Sequence, residues 1–322
     1  MTPTIIPSRH SILVVGSLNM DLVVEVSRMP HVGESLVGQG YSKIPGGKGA
    51  NQAVGLARQG AVITLVGKVG RDAEGAKLLE VLKEEGIVTD FVFYAENTAT
   101  GLAFILLDNM GQNAIVTYPG ANLQLSQTEL LRALTASSFD ALMLQLEVPD
   151  EIIVASFQFA KKIGVPTFLD AGPARSFPLE QLSGIDVLSP NETEVLALTG
   201  IEVKSIADAE LGAAELISRA NAKAVVIKLG AAGALLRTAE GKSEHFPAHK
   251  VNVVDSTAAG DAFTAALMIR YLDTNDLRES VTYANLAGAL TTTKLGAQPS
   301  LPTALEIEAA RQQWQPGGRP HV

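Results

Sequence analysis

Val251-Asn252-Val253-Val254-Asp255-Ser256-Thr257-Ala258-Ala259-Gly260-Asp261-Ala262-Phe263 is the stretch that decides how this chain folds. Its first four residues are apolar and extended in character, and Ala262 to Ile269 has the composition of a helix, so a strand-to-helix turn over small residues is expected. Small side chains let a ligand approach the backbone. The first turn of a helix also offers N–H groups without intrahelical partners, at the positive end of the dipole. The turn is therefore a candidate anion site. Asp261 lies inside it, where a carboxylate would repel an anion unless it had another task, and the task assigned to it is general base.

Outward from this turn, apolar runs alternate with helical patterns. Ser11–Val15, Val62–Val66, Ala141–Leu146, Thr167–Asp170, Asp186–Ser189 and Ala224–Leu229 are expected strands, buried on both faces of a parallel sheet. Helices are expected at Gln52–Arg58, Ala73–Glu85, near Gln127–Thr135, after Glu147 and at Glu279–Thr293. The sequence thus predicts one α/β domain over 1–322, with a mostly parallel central sheet flanked by helices. Two β-prone, glycine-punctuated pieces, about 18–46 and 98–120, suit a small separate antiparallel sheet; it serves as a lid unless these are plain surface hairpins. Residues 315–322 are expected to be a frayed tail.

Polar residues gather where the expected strands end, which is where open α/β sheets bind ligands. Asn19 and Asp21 follow the first strand, though both are also common turn residues. Gly46-Gly47-Lys48-Gly49-Ala50-Asn51 opens a helix, and Lys48 and Asn51 share one turn, so both can address one ligand. It is neither a P-loop nor a dinucleotide fingerprint. Glu147 ends another strand. Asn191 and Glu194 have the spacing of a helix capping box. Gly230 and Gly233 could give a flat platform for a planar base.

The chain has 25 Lys and Arg against 34 Asp and Glu, a net charge of −9, with no basic block; nucleic acid and acidic membranes are therefore not expected partners. It contains no cysteine, which excludes disulfides, thiolate zinc sites and cysteine nucleophiles. No apolar run has the length of a membrane span, and Met1 to Ser11 lacks the pattern of a secretory signal, so a cytoplasmic enzyme is expected.

Taken together, GGKGAN at Gly46–Asn51, LQLE at Leu144–Glu147, PNETE at Pro190–Glu194, the turn from Asp255 to Asp261 and GAQPS at Gly296–Ser300 resemble the ribokinase-like carbohydrate kinase family, in order from about Ile12 to Ser300. The resemblance implies ATP-dependent phosphoryl transfer to a sugar hydroxyl. Asp261 would be the base, and the N–H groups of Ala258, Ala259 and Gly260 the anion hole. It implies a sugar cradle of Asn19, Asp21, Gly47, Lys48, Asn51, Glu147 and Asp261, whose match to the branch acting on ribose favours the ribose 5-hydroxyl. It further implies a nucleotide site of Asn191, Lys228, Gly230, Gly233, Gly260 and Asn285, with magnesium near Glu194 through water. A monovalent cation, potassium, would lie among Asp255, Thr257, Thr291, Lys294, Gly296 and Ser300, and a homodimer would form through the lid.

The chain departs from the family at Ser256, at Ala258 where many relatives have glycine, and at Asp170-Ala171-Gly172-Pro173, which replaces Asn-Pro-Ala-Pro. Alternatives are a sister kinase for another sugar or a nucleoside, a non-catalytic sugar binder, and a nicotinamide-dependent dehydrogenase. Retention of Asp261 opposes the second, and the missing dinucleotide fingerprint opposes the third.

Overall fold

The computed structural model describes residues 10–110 and 112–313; the tail expected at 315–322 lies outside them. In chain order the elements begin with β1 (Ser11–Val15), β2 (Asn19–Val26), β3 (Gly40–Gly46), α1 (Lys48–Arg58), β4 (Val62–Gly70) and α2 (Ala73–Glu84). Next come β5 (Val88–Ala95), β6 (Gly101–Asp108), β7 (Asn113–Tyr118), α3 (Gln127–Ala136), β8 (Ala141–Gln145), α4 (Asp150–Ile163) and β9 (Thr167–Asp170). β10 (Val187–Leu188), α5 (Glu192–Thr199), α6 (Ile206–Ala220), β11 (Ala224–Lys228), β12 (Ala234–Thr238) and β13 (Ser243–Phe246) follow. The chain closes with α7 (Ala259–Thr274), α8 (Leu277–Thr291), α9 (Ala297–Ser300) and α10 (Ala304–Gln313).

The main sheet has the order β13-β12-β11-β10-β9-β8-β1-β4-β5. It is parallel from β11 to β5; β12 runs against these strands, and β13, antiparallel to β12, returns to their direction. Alternation along each strand divides the core into two layers. Ile12 and Val14 of β1 pack in one layer with Ala53, Ala265 and Val281, on the α1, α7 and α8 side. Leu13 and Val15 pack in the other with Leu130, Ile152 and Leu216, on the α3, α4 and α6 side. All four of these β1 side chains are fully buried. Each is worth about 1.5–3 kcal/mol of apolar burial, so the middle of the sheet is rigid and its carboxyl edge is a fixed platform.

The second sheet, β3-β2-β6-β7, uses both expected pieces. Its outer pairs are antiparallel as expected, but the central pair β2·β6 is parallel, because the two hairpins reach it from separate crossovers. Two further expectations are corrected. Residues 251–254 form no strand: β13 ends at Phe246, and Val254 N–H donates to Thr292 C=O at 2.7 Å, which ties this approach to the end of α8 instead of to a sheet edge. Within the expected loop 294–300, Ala297–Ser300 forms a short helix.

Candidate active site

The first site element is the contact between α1 and the turn that follows β1. Gly47 caps α1 with φ 89°, and a Cβ there would lie 2.6 Å from the Asn19 nitrogen. A Cβ on Gly49 would lie 2.5 Å from the Ser17 nitrogen, so only glycine lets the helix seat this closely. Gly47 therefore acts through the backbone, and it brings Lys48, Asn51 and Gln52 to the carboxyl edge of the sheet.

On one side of α1 are the expected sugar-binding groups. Asn19, Asp21 and Asn51 are buried. Asn122 Nδ2 donates to Asn19 Oδ1 at 2.7 Å and so orients that amide. Glu147 Oε2 accepts from Ser17 Oγ and, at 3.2 Å, from Lys48 N–H. The Asp21 carboxylate accepts no hydrogen bond among the described residues, and Asn51 Oδ1 is buried without a partner, so two acceptors are available to hydroxyl donors. Burial pushes the Asp21 carboxyl up to about 7, and the neighbouring Glu147 and Asp261 add to the shift. Burial likewise raises Glu147, although Lys48 opposes the rise.

Asp261 sits in the first turn of α7 and is buried. Asn51 Nδ2 donates to its Oδ2 at 2.9 Å, and Gln52 Nε2 to its Oδ1 at 3.0 Å, so the carboxylate is held from α1. Its pKa is raised by burial, against the pull of Lys48. Ala258 caps α7 in the left-handed region at φ 61°, a conformation that glycine would adopt without the penalty of a Cβ. The N–H groups of Ala258, Gly260 and Asp261 have no protein acceptor among the described residues, whereas Ala259 N–H donates to Ser256 C=O at 3.2 Å. Of the three expected anion donors, Ala259 is thus partly committed to its own turn.

The ammonium of Lys48 lies 3.6 Å from Asp170, 3.8 Å from Asp261 and 4.0 Å from Glu194. Burial alone would lower its pKa, but these carboxylates with Glu147 push it up, so it is a permanent cation. Its head lies among the carboxylates next to Asp261. Asp170, fully buried, is held down by Lys228 and Lys48 in spite of its burial.

At the nucleotide side, Asn191 and Glu194 do form the capping box: Asn191 Oδ1 accepts from Glu194 N–H at 2.9 Å, and Glu194 Oε2 from Asn191 N–H at 2.7 Å. Glu194 Oε1 remains turned toward Lys48. Burial raises its pKa, with Lys228 opposing. One such carboxylate fits a magnesium ion that keeps most of its waters and is bound chiefly by phosphate. No group of three or more acidic, His or Cys side chains that could hold a metal occurs among the described residues.

Gly230, at φ 50°, has open space where a Cβ would be, as a ligand platform requires. Gly233 has a packing reason to be small: a Cβ there would lie 2.0 Å from Phe246 C=O. Asn285 Nδ2 donates to the same carbonyl at 3.3 Å.

The expected cation residues are brought together in part. Asp255 Oδ1 accepts from Thr257 N–H and Oγ at 2.9 and 2.7 Å, and Oδ2 from Gly296 N–H at 2.9 Å. Thr291 Oγ and Ser300 Oγ are bound to carbonyls of their own helices, and Lys294 Nζ pairs outward with Glu306. The set is rich in oxygen and suits a hard monovalent cation, with Asp255 clamping the two loops together.

Sequence reasoning gave no role to Asn122, Gln52, Gln145, Thr264 or Asp170. Gln145 had a visible signal, since it is a fully buried amide in an apolar strand; the others become neighbours only through tertiary contact.

A model of the pfkB family of carbohydrate kinases matches residues 9–304. The ribokinase of Staphylococcus aureus (strain COL) is 38% identical over 301 residues, covering 92% of this chain and 98% of that protein. The ribokinase of Haemophilus influenzae is 37% identical over 299 residues, covering 92% and 97%. A solved structure of Arabidopsis thaliana ribokinase complexed with ribose and ATP superposes with a TM-score of 0.84 at 34% identity, covering 94% of this chain and 98% of that one.

Proposed function

The chain belongs to the pfkB family of carbohydrate kinases, and from that premise we propose that it transfers the γ-phosphoryl group of ATP to the 5-hydroxyl of ribose. The observation that carries the proposal is the position of Asp261. A buried carboxylate, held at both oxygens by Asn51 and Gln52, lies between acceptors suited to a sugar and a helix start whose free N–H groups suit phosphate.

The sugar hydroxyls would be met by Asn19, Asp21, Asn51 and Glu147. Asp261 would accept the proton of the attacking hydroxyl as its oxygen bonds to phosphorus; an alcohol becomes acidic as that bond forms, so an ordinary carboxylate suffices. Gly260 and Ala258 N–H, with Lys48, would stabilise the charge on the transferring group. Phosphoryl transfer is governed by such positioning and electrostatics. Asn191, Lys228, Gly230 and Asn285 would hold the nucleotide. Magnesium would neutralise phosphate charge near Glu194, and potassium near Asp255 would support the loop behind the anion turn.

A homodimer through the small sheet belongs to the same reading. By register Tyr41, Phe104, Val116 and Tyr118 share the face opposite Asp21, and all four are exposed, an apolar patch of the kind that marks an interface. No helix among the described residues is long and apolar enough to cross a membrane. A cytoplasmic location accords with ATP as donor.

ATP consumption measured across ribose, deoxyribose, fructose, tagatose and nucleosides tests the substrate. Highest kcat/KM with ribose is expected; a nucleoside or hexose preferred over ribose would refute it.

A further inference from the structure

Asp170 has no task in the reaction as described, and Lys228 is there only one of several nucleotide contacts. Asp170 ends β9 and Lys228 ends β11. Between them the chain continues past β10, with Ser189 N–H donating to Leu169 C=O and Lys228 N–H to Pro190 C=O, each at 2.8 Å, and the two side chains meet on the face that Phe168 and Val226 share, beside α1 and α7. Asp170 is fully buried, and Lys228 Nζ donates to its Oδ1 at 3.1 Å. The other oxygen, Oδ2, accepts from Gln52 Nε2 at 2.8 Å, and that same nitrogen reaches Asp261 Oδ1. Gln52 is itself fixed by Gln145 Nε2, which donates to its Oε1 at 2.7 Å.

The lysine side chain runs beside the anion turn. A Cβ built on Gly260 would lie 3.8 Å from both Cδ and Nζ of Lys228. Thr264, one turn further along α7, donates to Gly260 C=O at 3.0 Å and lies 3.5 Å from Lys228 Nζ. One carboxylate thus fixes a cation beside Gly260 and, through one amide, the carboxylate of Asp261. A buried ion pair is seldom worth more to stability than an apolar pair of the same volume, so stability alone does not account for it.

We propose that Asp170 is a positioning residue for phosphoryl transfer: it holds the Lys228 ammonium against the transferring phosphoryl group beside Gly260 N–H, and orients Asp261 through Gln52. The proposal rests on the kinase reading above. Charge in phosphoryl transfer spreads over the equatorial oxygens, and a preplaced ammonium meets it without reorganisation. A lysine without Asp170 would have to be recruited from other carboxylates of the site.

Removing one partner leaves a buried charge unpaired and risks misfolding, so the variant of choice is the neutral pair Asp170→Asn/Lys228→Met. The expected result is a thermal midpoint near that of the unaltered protein, kcat lowered about a hundredfold, affinity for a non-hydrolysable ATP analogue lowered about tenfold, and ribose affinity unchanged. A folded neutral pair with unaltered kcat and analogue affinity would overturn the proposal, since a purely structural pair predicts that outcome.

A second measurement needs no variant. In the unaltered protein labelled with 15N-lysine, the Lys228 ammonium resonance, assigned through bonds, should shift when the ATP analogue binds. A resonance unmoved at saturation would overturn the proposal independently. Absence of ATP-dependent ribose phosphorylation in the unaltered protein would instead strike the kinase reading itself, so the two failures are separable.

Discussion

Replacing Asp21 with asparagine should stabilise the protein above neutral pH while weakening its hold on sugar. Asp21 is buried, and that burial, with Glu147 and Asp261 nearby, pushes its carboxyl up to about 7 from the ordinary 3.8. The folded state therefore binds the proton more tightly than the unfolded chain. The stability from this group is fully present below pH 3.8 and is lost as pH rises through 7. At 1.36 kcal/mol per pH unit the whole loss is about 4 kcal/mol, of which about 3 falls between pH 5 and pH 8. Asparagine has no such titration, so the variant's midpoint relative to the unaltered protein should rise by about 6 °C across that interval, at ~2 °C per kcal/mol. Thermal unfolding followed by circular dichroism at pH 5, 6, 7 and 8, without ligand, measures it. Calorimetry should show ribose affinity lowered about tenfold or more, as for a lost hydrogen bond to a charged group. A midpoint difference that stays constant from pH 5 to pH 8 would refute the account of Asp21.

Asp261→Asn should keep ribose binding while kcat falls by about a hundredfold or more; turnover close to normal would remove Asp261 from the role of base. Because burial raises the Asp261 pKa, the acid limb of the kcat profile of the unaltered enzyme should lie above the ordinary carboxylate value of 3.8, and a limb at or below that value would contradict it. Potassium should activate relative to sodium, with the advantage lost in Asp255→Ala; equal rates in both salts would argue against the cation site. Tyr41→Asp/Phe104→Asp should shift the protein to monomer on size exclusion, and an unchanged elution volume would move the dimer contact elsewhere.

The part of the candidate site around α1 and the turn before Asp261 was legible from local motifs because it is built by short-range geometry. Glycines at 47 and 49 announce a backbone seated close to another, and the small residues before Asp261 announce a helix start open to a ligand. Gly233 is less legible, because smallness has two causes, and a sequence does not tell ligand approach from the close passage of Phe246. Val251–Val254 misled because its three valines satisfy a strand pattern even where the backbone bonds elsewhere, here Val254 N–H to the end of α8.

By itself, the sequence determined the alternation of buried strands and amphipathic helices, the two pieces of the small sheet, and the turn around Asp261, since each depends on residues near one another in the chain. Only the tertiary structure decided that β2 and β6 run parallel, that Lys48 turns its charge toward Asp170, Asp261 and Glu194, and that Asp170 meets both Lys228 and Gln52. Those contacts join residues 58 and 118 positions apart. They exist because β9 and β11 turn alternate side chains toward α1 and α7, and the residues of one strand do not show which strands and helices lie beside it in space.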